Sequence, residues 1–414
     1  MTEATHAPTG PLTGLRVLAL EQAVAGPLCT RHLADLGAEV IKIERPGKGD
    51  DSRAFGPPWL KDAQGKDTGE SAYFAAANRC KKSVTVNLAK PEGQHLVRRL
   101  AAKCHVLIEN YKVGDLKRYG LDYTALSEIN PRLVYCSITG YGQSGPYAEK
   151  PGYDYVFQGL GGLMSITGER DDRPGGGPQK VGVAVADVLT GMYSTVAILA
   201  ALNHRTISGK GQYIDMALLD CLVALGGNQA VSYLVTGKSP PRYGNEHQSI
   251  VPYQVFATAD GHIIIAVGND TQWQRFCKAI ERPDLARSEK YAKVTGRVLA
   301  RSELIPDLAR TMLARTTADW VKRIEDEDVP CGPINNYEQV FQDPQVRHRG
   351  MRIDQERADG VQIPGVASPL RLQGTPVTYD RPAPSLGEHT GEILGGVLGK
   401  SRDELDALRA QGVI

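Results

Sequence analysis

One acidic side chain, Asp187, interrupts the run VGVAVADVLTGMYST (residues 181–195), which is otherwise small, apolar or hydroxylic. Asp is among the best helix N-caps, and the apolar stretch Val188–Leu202 that follows reads as a helix, so one role is a cap. The other is chemical. Backbone N–H groups and the dipole of a helix N-terminus favour an anion, so the carboxylate is expected to stay ionised. An ionised carboxylate in a partly dry cleft can act as a nucleophile. The two roles are compatible. Ala184, Ala186 and Gly191 are small, and are expected to let a bulky substrate approach. Two loops are too rich in glycine, polar groups and aromatics for plain connections: SITGYGQSGPYAEKPGYDYV (137–156) and GNEHQSIVPYQVF (244–256). The second has the make-up of a loop that closes over a site.

Other chemistries find less support. Cys29 lies near a helix start, where its thiol pKa could fall; a small buried residue is the commoner role for a lone Cys. The first strand–turn–helix reads EQAVAGPLCT, without the G-x-G-x-x-G that lets a backbone approach a pyrophosphate. Pro27 suits a first helical turn, so a phosphate could still lie there. There is no P-loop, since Gly209-Lys210 is followed by Gly211, and no G-x-S-x-G elbow. The nine histidines are dispersed without ligand spacing, so no metal site is expected.

The elements that must position these residues follow from hydrophobic pattern. LRVLAL (15–20), AEVIKIE (38–44), SVTVNL (83–88), HVLIEN (105–110) and RLVYCSITGYG (132–142) read as strands. Helical spacing covers Pro27–Leu36 and Pro91–Lys103. Apolar strands alternating with amphipathic helices predict an α/β fold, a large Rossmann-like domain with a parallel sheet covered on both faces. The pattern changes near residue 225. PYQVFATADGHIIIAVGN (252–269) reads as a hairpin around Asp260-Gly261, with helices over roughly 271–281, 300–315 and 317–327. A smaller α+β domain is thus expected at 225–335, inserted between a first large-domain segment, 1–224, and a C-terminal return, 336–414. A second hairpin is expected near 351–373 and a helical tail from Gly387 to Gln411.

Composition sets outer bounds. With 414 residues the chain exceeds one ordinary core of ~100–200 residues. A net charge of +1 argues against a nucleic-acid partner, and 41% hydrophobic content against disorder. Seven scattered cysteines without a C-x-x-C pair fit a reducing cytoplasm. MTEATHAPTGPLTG carries no signal-peptide pattern, and no uninterrupted apolar run approaches the ~20 residues that span a bilayer, so no membrane association is expected.

Several stretches together resemble the class III CoA-transferases, the formyl-CoA and carnitine CoA-transferase family. They are AGPLCTRHLADLGAEVIKIERPGKGDDSR (25–53), NRCKKSVTVNL (78–88), IENYKVGDLKRYGLDY (108–123), YCSITGYGQSGP (135–146), PGYDYVFQGLGGLMSITG (151–168), GVAVADVLTGMYS (182–194) and GKGQYIDMALLD (209–220). Within the family, GDDSRAFGPPW, GNEHQSIVPYQVF and CGPINNYEQVFQDPQV (331–346) look most like the succinyl-CoA:glutarate branch.

The resemblance implies that Asp187 is the nucleophile, carrying the acyl group as an anhydride and then CoA as an aspartyl thioester. It implies N–H donors for the developing oxyanions from the loop near 247–251. It implies CoA contacts at Ala25, Arg45, Val86, Leu88, Ala89, Asn110, Tyr111, Lys112 and Arg118, with Tyr153 and Asp154 beside the thioester. His247, Gln248 and Ser249 would meet the acceptor acid. The bland reading of Arg45 and Arg118 is a solvated surface charge. Coenzyme A and acyl-CoA enter as substrates, with no tightly bound cofactor, and family members are interlocked homodimers. Val24 stands where formyl-CoA transferase has glutamine, and EHQSIV where it has a glycine run. Both differences point away from oxalate and formate, towards a longer acid with a second carboxylate. The rival on the same scaffold is an α-methylacyl-CoA racemase, expected to have His where Tyr153 stands. Tyrosine, with a pKa near ~10, is the poorer base at neutral pH.

Overall fold

The computed structural model of the chain describes residues 10–414. Residues 1–9, the start of the stretch without a signal-peptide pattern, lie outside the described residues. Two compact units result. The first runs to Leu163 and takes in Val181–Thr236 and Arg347–Ile414; the second comprises Met164–Lys180 and Gly237–Val346.

In chain order the strands are β1 (Arg16–Leu20), β2 (Glu39–Glu44), β3 (Trp59–Lys61), β4 (Asp67–Ser71), β5 (Lys81–Thr85), β6 (Val106–Glu109), β7 (Val134–Thr139), β8 (Tyr213–Ala217), β9 (Tyr253–Ala257), β10 (His262–Ala266), β11 (Cys331–Pro333), β12 (Arg352–Glu356) and β13 (Gln362–Val366). The large sheet of the first unit has the order β5-β2-β1-β6-β7-β8, every pair parallel. The strand residues alternate between two cores, as a sheet buried on both faces requires. Leu18, Leu20, Ile41, Ile43 and Leu107 face one core, which helix Pro91–Ala101 covers with Leu96, Val97 and Leu100. Val17, Ala19, Val40, Val106 and Ile108 face the other, covered by helices Ala25–Asp35 and Val185–Ser208.

Sheet order reverses between β1 and β6. From β1 the chain builds outward through β2 and β5; from β6 it builds the other way through β7 and β8. Connections leaving neighbouring strand ends in opposite directions open a crevice at the carboxyl edge. Residues 22–25 after β1 and 110–113 after β6 line it.

Some expectations shift. The strand placed at 83–88 is Lys81–Thr85: pairing with β2 ends at Glu44 opposite Thr85, and Val86–Ala89 leaves the sheet. Strand β8 lies in a segment given no strand by pattern, an edge strand with Asp215 in its middle. The hairpin expected near 351–373 is β12–β13, and its partner β3 comes from nearly 300 residues earlier in the chain. The helical tail is two helices, Thr390–Gly396 and Arg402–Ala410. The apolar run at 188–202 belongs to a helix of 24 residues, long and apolar enough by length and composition to cross a membrane. Ala186, Thr190, Ser194, Ile198 and Ala201 form its buried stripe.

In the second unit β9 and β10 form the expected antiparallel hairpin, extended by β11. Trp273, Phe276, Leu304, Leu308, Trp320 and Ile324 fill its core.

Candidate active site

Helix Val185–Ser208 begins without a cap of its own, because Ala184 at the N-cap has no side-chain acceptor. Asp154 supplies one from another element. Its Oδ2 accepts from the Ala186 N–H at 2.7 Å and the Asp187 N–H at 3.4 Å. Gln158, one turn further along helix Asp154–Leu160, donates to Asp154 Oδ1 at 2.6 Å and accepts from the Val181 N–H at 2.8 Å. Asp187 therefore does not cap its helix. It sits in the first turn, its side chain free for other work, while Asp154 satisfies the exposed N–H groups.

Gly191, one turn after Asp187, also has a different role from the one expected. A Cβ there would lie 2.8 Å from the Ala25 carbonyl oxygen and 3.1 Å from Leu28 Cβ. Ala186 is fully buried. These small residues bring the helix against Ala25–Asp35 rather than leaving room for substrate. The close approach puts the Asp187 carboxylate opposite the Ala25 backbone N–H.

The expectation that Asp187 stays ionised is corrected as well. Burial, reinforced by the charge of Asp154, pushes its pKa up to about 7, against the opposing pull of the Ala25 N–H. The helix terminus offers partial charge, but removal from water and a like-charged neighbour outweigh it. Cys29 shows the same physics: burial raises its thiol to about 12, so it is a packing residue and no nucleophile.

Two clefts meet at the switch point. The larger, ≈ 410 Å³, is bounded by the turn Gln22–Ala25, by Asn110–Val113, by Ile138–Gly140 and by Ala148–Asp154, and it contains Asp187. The smaller, ≈ 170 Å³, is bounded by Glu21, Gln22, Arg45, Gly49, Asp50, Val86–Ala89, Tyr111 and Tyr119. Gln22 and Tyr111 belong to both walls. Ala25, Asn110, Tyr111, Lys112, Tyr153 and Asp154 thus gather with Asp187, and Arg45, Val86, Leu88 and Ala89 gather next door. Arg45 is half-exposed and paired with Asp51 at 2.6 Å. Arg118 stands outside both linings; it pairs with Asp115 at 3.5 Å and lies 4.7 Å above the Tyr119 ring. Asn110 spends its amide on Gln22: it accepts from the Gln22 N–H at 2.9 Å and donates to the Gln22 carbonyl at 2.8 Å.

His247, Gln248 and Ser249 lie in the second unit, in the loop before β9. Arg301 donates to the carbonyls of His247 (2.6 Å) and Gln248 (3.1 Å) and to Glu246 Oε2 (3.0 Å). Arg297, four residues earlier, donates to Val251 O at 2.8 Å. The Ser249 N–H donates to His247 Nδ1 at 3.0 Å, and the His247 ring packs 5.1 Å from Tyr253.

Sequence reasoning overlooked Gln22, Phe55, Tyr73, Gln158 and the two arginines. Phe55 and Tyr73 pack edge to face at 5.5 Å, and the negative charges of Asp187 and Asp154 add to the burial that raises the Tyr73 phenol. The one available signal was position. Gln22 follows a strand at the switch point, where ligands bind in open α/β sheets.

Residues 12–390 match CoA-transferase family III. The chain is 49% identical over 389 residues to a succinate–glutarate CoA-transferase of Agrobacterium fabrum, covering 93% of this chain and 95% of that one. It is 42% identical over 406 residues to the succinyl-CoA:glutarate CoA-transferase of Homo sapiens, covering 98% and 90%. A solved CAIB/BAIF family protein from Brucella suis superposes with a TM-score of 0.84 at 45% identity, over 94% of this chain and 100% of that one.

Proposed function

The chain belongs to CoA-transferase family III, and from that premise we propose that it moves CoA from succinyl-CoA to a dicarboxylic acid such as glutarate, with Asp187 as the covalent carrier. The observation that carries this reading is the placement of Asp187. It is in the first turn of its helix, opposite the Ala25 N–H, in a cleft that shares a wall with a second cleft.

The chemistry runs in four acyl transfers. An Asp187 carboxylate oxygen attacks the thioester carbonyl carbon; the C–S bond breaks and CoA leaves as thiolate, giving a succinyl–aspartyl anhydride. The thiolate attacks the aspartyl carbon of that anhydride, releasing succinate and forming an aspartyl-CoA thioester. A carboxylate oxygen of the acceptor then displaces CoA thiolate from Asp187, giving the second anhydride. Thiolate attack on its acceptor-derived carbon yields the new acyl-CoA and regenerates the Asp187 carboxylate. Donor and product thioesters differ little in energy, so the enzyme needs a carrier, not a fuel. Asp187 must be ionised to begin, and the Ala25 N–H is a donor for the charge on its oxygen.

Arg45 and the Val86–Ala89 segment supply a cation and an apolar wall for the nucleotide end of CoA. Tyr111 and Lys112 follow the pantetheine arm, and Tyr153 and Asp154 flank the thioester. Arg118 stands at the outer edge of the CoA path. His247, Gln248 and Ser249 contact the second carboxylate of the acceptor. Among the described residues, Tyr153 and no histidine lines the Asp187 cleft, which favours transfer over the α-proton chemistry of a racemase.

The working form we infer is a homodimer. Met192, Tyr193 and Val196 on one helix and Val231, Leu234 and Val235 on another are exposed apolar side chains that a second copy would cover. Seven free cysteines fit a reducing compartment such as the cytoplasm. Light scattering should give twice the chain mass.

Neutral hydroxylamine tests the carrier directly. After mixing with succinyl-CoA, peptide mass should place a hydroxamate on Asp187, absent in Asp187→Ala. Transfer without any Asp187 adduct would sink the reading, and loss of α-deuterium with CoA retained would replace it by isomerisation.

A further inference from the structure

The residues between β1 and the following helix are tied down more heavily than a connection requires. Ala23 sits at φ +62°, in the left-handed region that residues with a Cβ seldom adopt. Glu21, Gln22, Ala23 itself and Pro27 are gripped through their main chain. Lys42 Nζ donates to Glu21 O at 3.0 Å. Asn110 holds both polar groups of Gln22. The Ala23 N–H donates to Asp50 Oδ1 at 3.1 Å, and Lys81 Nζ donates to Pro27 O at 2.9 Å.

Behind the turn these gripping groups form a dry ionic cluster. Lys42 pairs with Asp50 Oδ2 and Lys81 with Glu21 Oε1, each at 2.8 Å, and the side chains of Lys42, Lys81 and Glu21 are wholly buried. Asp50 is 2% exposed. Its Oδ1 also accepts from the Ser52 N–H and hydroxyl, at 2.9 and 2.8 Å, and its own N–H donates to Glu44 Oε2. Removing two lysines and two carboxylates from water is costly, and apolar residues of similar volume often hold a fold as well or better. The cluster does secure one thing apolar residues could not: hydrogen-bonding partners for a turn that leads, two residues after Ala23, to the N–H facing Asp187.

We propose that Asp50, backed by Lys42, is a positioning residue for the transfer reaction, holding Ala23 in its left-handed conformation so that the Ala25 N–H meets the reacting carboxylate. The inference rests on the reading of Asp187 as the carrier. Asp50 lines the smaller cleft and not the Asp187 cleft; towards the reacting carboxylate it acts through the backbone of the turn.

The test is a cycle read by the rate of hydroxamate formation on Asp187 with succinyl-CoA and hydroxylamine. Ala23→Val leaves every buried charge in place but puts a β-branched residue at positive φ. Asp50→Ala removes the acceptor. Each is expected to slow Asp187 acylation about ten- to a hundredfold, with the donor KM moving less than kcat, because small misplacements of reacting groups cost rates of that order. Glycine holds positive φ without help, so Ala23→Gly added to Asp50→Ala should recover most of the loss. A full rate in Ala23→Val overturns the proposal. So does an Asp50→Ala deficit that glycine leaves unchanged while thermal unfolding shows both proteins folded. If Asp50→Ala does not fold, Ala23→Val decides alone. No hydroxamate on Asp187 in the unaltered enzyme overturns the carrier reading and this proposal with it. Normal labelling of the unaltered enzyme with undiminished variants overturns this proposal only.

Discussion

The turn Glu21–Ala25 in the first unit and the loop Glu246–Val251 in the second are both held by polar and charged side chains gripping their main chain, but in different ways. The turn is gripped at successive residues by Lys42, Asn110 and Asp50, and the ionic cluster behind it is dry. The loop is gripped near its two ends. Arg301 takes His247 and Gln248, Arg297 takes Val251, and Ser249 and Ile250 lie between. Lysine and aspartate in the turn answer each other's charge. Each guanidinium at the loop spreads its planar fork over several acceptors, Arg301 over two successive carbonyls and a carboxylate, whereas each ammonium behind the turn divides its donors between a carbonyl and a buried carboxylate. On the proposed mechanism the contrast would match two demands: every acyl transfer would pass through the Asp187 carboxylate and need the same geometry each time, whereas the loop would serve recognition of the acceptor alone.

The largest effect that would sharpen the contrast is loss of the proposed carrier. Asp187→Asn should lower turnover by ~10⁴-fold or more, as removal of a covalent nucleophile does elsewhere. It should also stabilise the fold at pH 8. The Asp187 pKa is raised from 3.8 to about 7, so the native state keeps a proton that the unfolded chain has lost. Stability therefore falls as pH rises from about 4 to 7, and the amide escapes that loss. A gain on the order of 1–3 kcal/mol at pH 8, shrinking towards pH 4, is expected from thermal unfolding. An equal gain at both pH values would refute the linkage.

Next is Arg297, whose side chain is completely buried and also serves Tyr291 O and Asp270. Arg297→Ala strips several buried acceptors at once and should cost about 3–5 kcal/mol, read by urea unfolding through Trp273, which lies 5.1 Å below the guanidinium. Arg301 is less buried, and its loss should be felt in function. Arg301→Lys should raise the acceptor KM about tenfold while the donor-side hydroxamate rate stays put. If donor-side labelling falls equally, the loop does not serve the acceptor alone and the contrast breaks.

The smallest effect expected is on pH dependence. Turnover should rise through an acid limb near pH 7 as Asp187 ionises. Asp154→Asn removes the like charge while keeping an oxygen for the helix N–H groups, so the limb should move to lower pH, leaving the variant roughly threefold more active relative to its plateau at pH 6. Glu109, also raised to about 7 by burial, is a second carboxyl that titrates there. If Glu109→Gln abolishes the limb, Asp187 does not set it.

Much of the machinery was legible in the sequence for plain reasons. Strands with successive apolar residues, such as VLI in β6 and VYC in β7, call for burial on both faces, which points to a parallel sheet. A single carboxylate ahead of a long apolar helix marks Asp187. What escaped was polar pairing inside apolar pattern. Lys42, in the middle of EVIKIE, and Lys81, at the start of β5, look like solvated residues in a one-dimensional string, yet both are wholly buried. Strand β8 escaped because an edge strand with an aspartate inside it carries a weak period. Asp154 was singled out beside the thioester, but its work as a cap for a helix 31 residues later is invisible without the fold.

The sequence by itself determined which residues are able to do chemistry and that its strands would form a parallel sheet covered on both faces, because residue type and hydrophobic period are local properties. The tertiary structure alone decided the state of those residues. Whether Asp187 is charged, whether Gly191 opens space or closes it, and which side chain caps which helix depend on what lies within a few ångströms across distant segments. Desolvation and charge coupling are set by those neighbours and not by position in the chain.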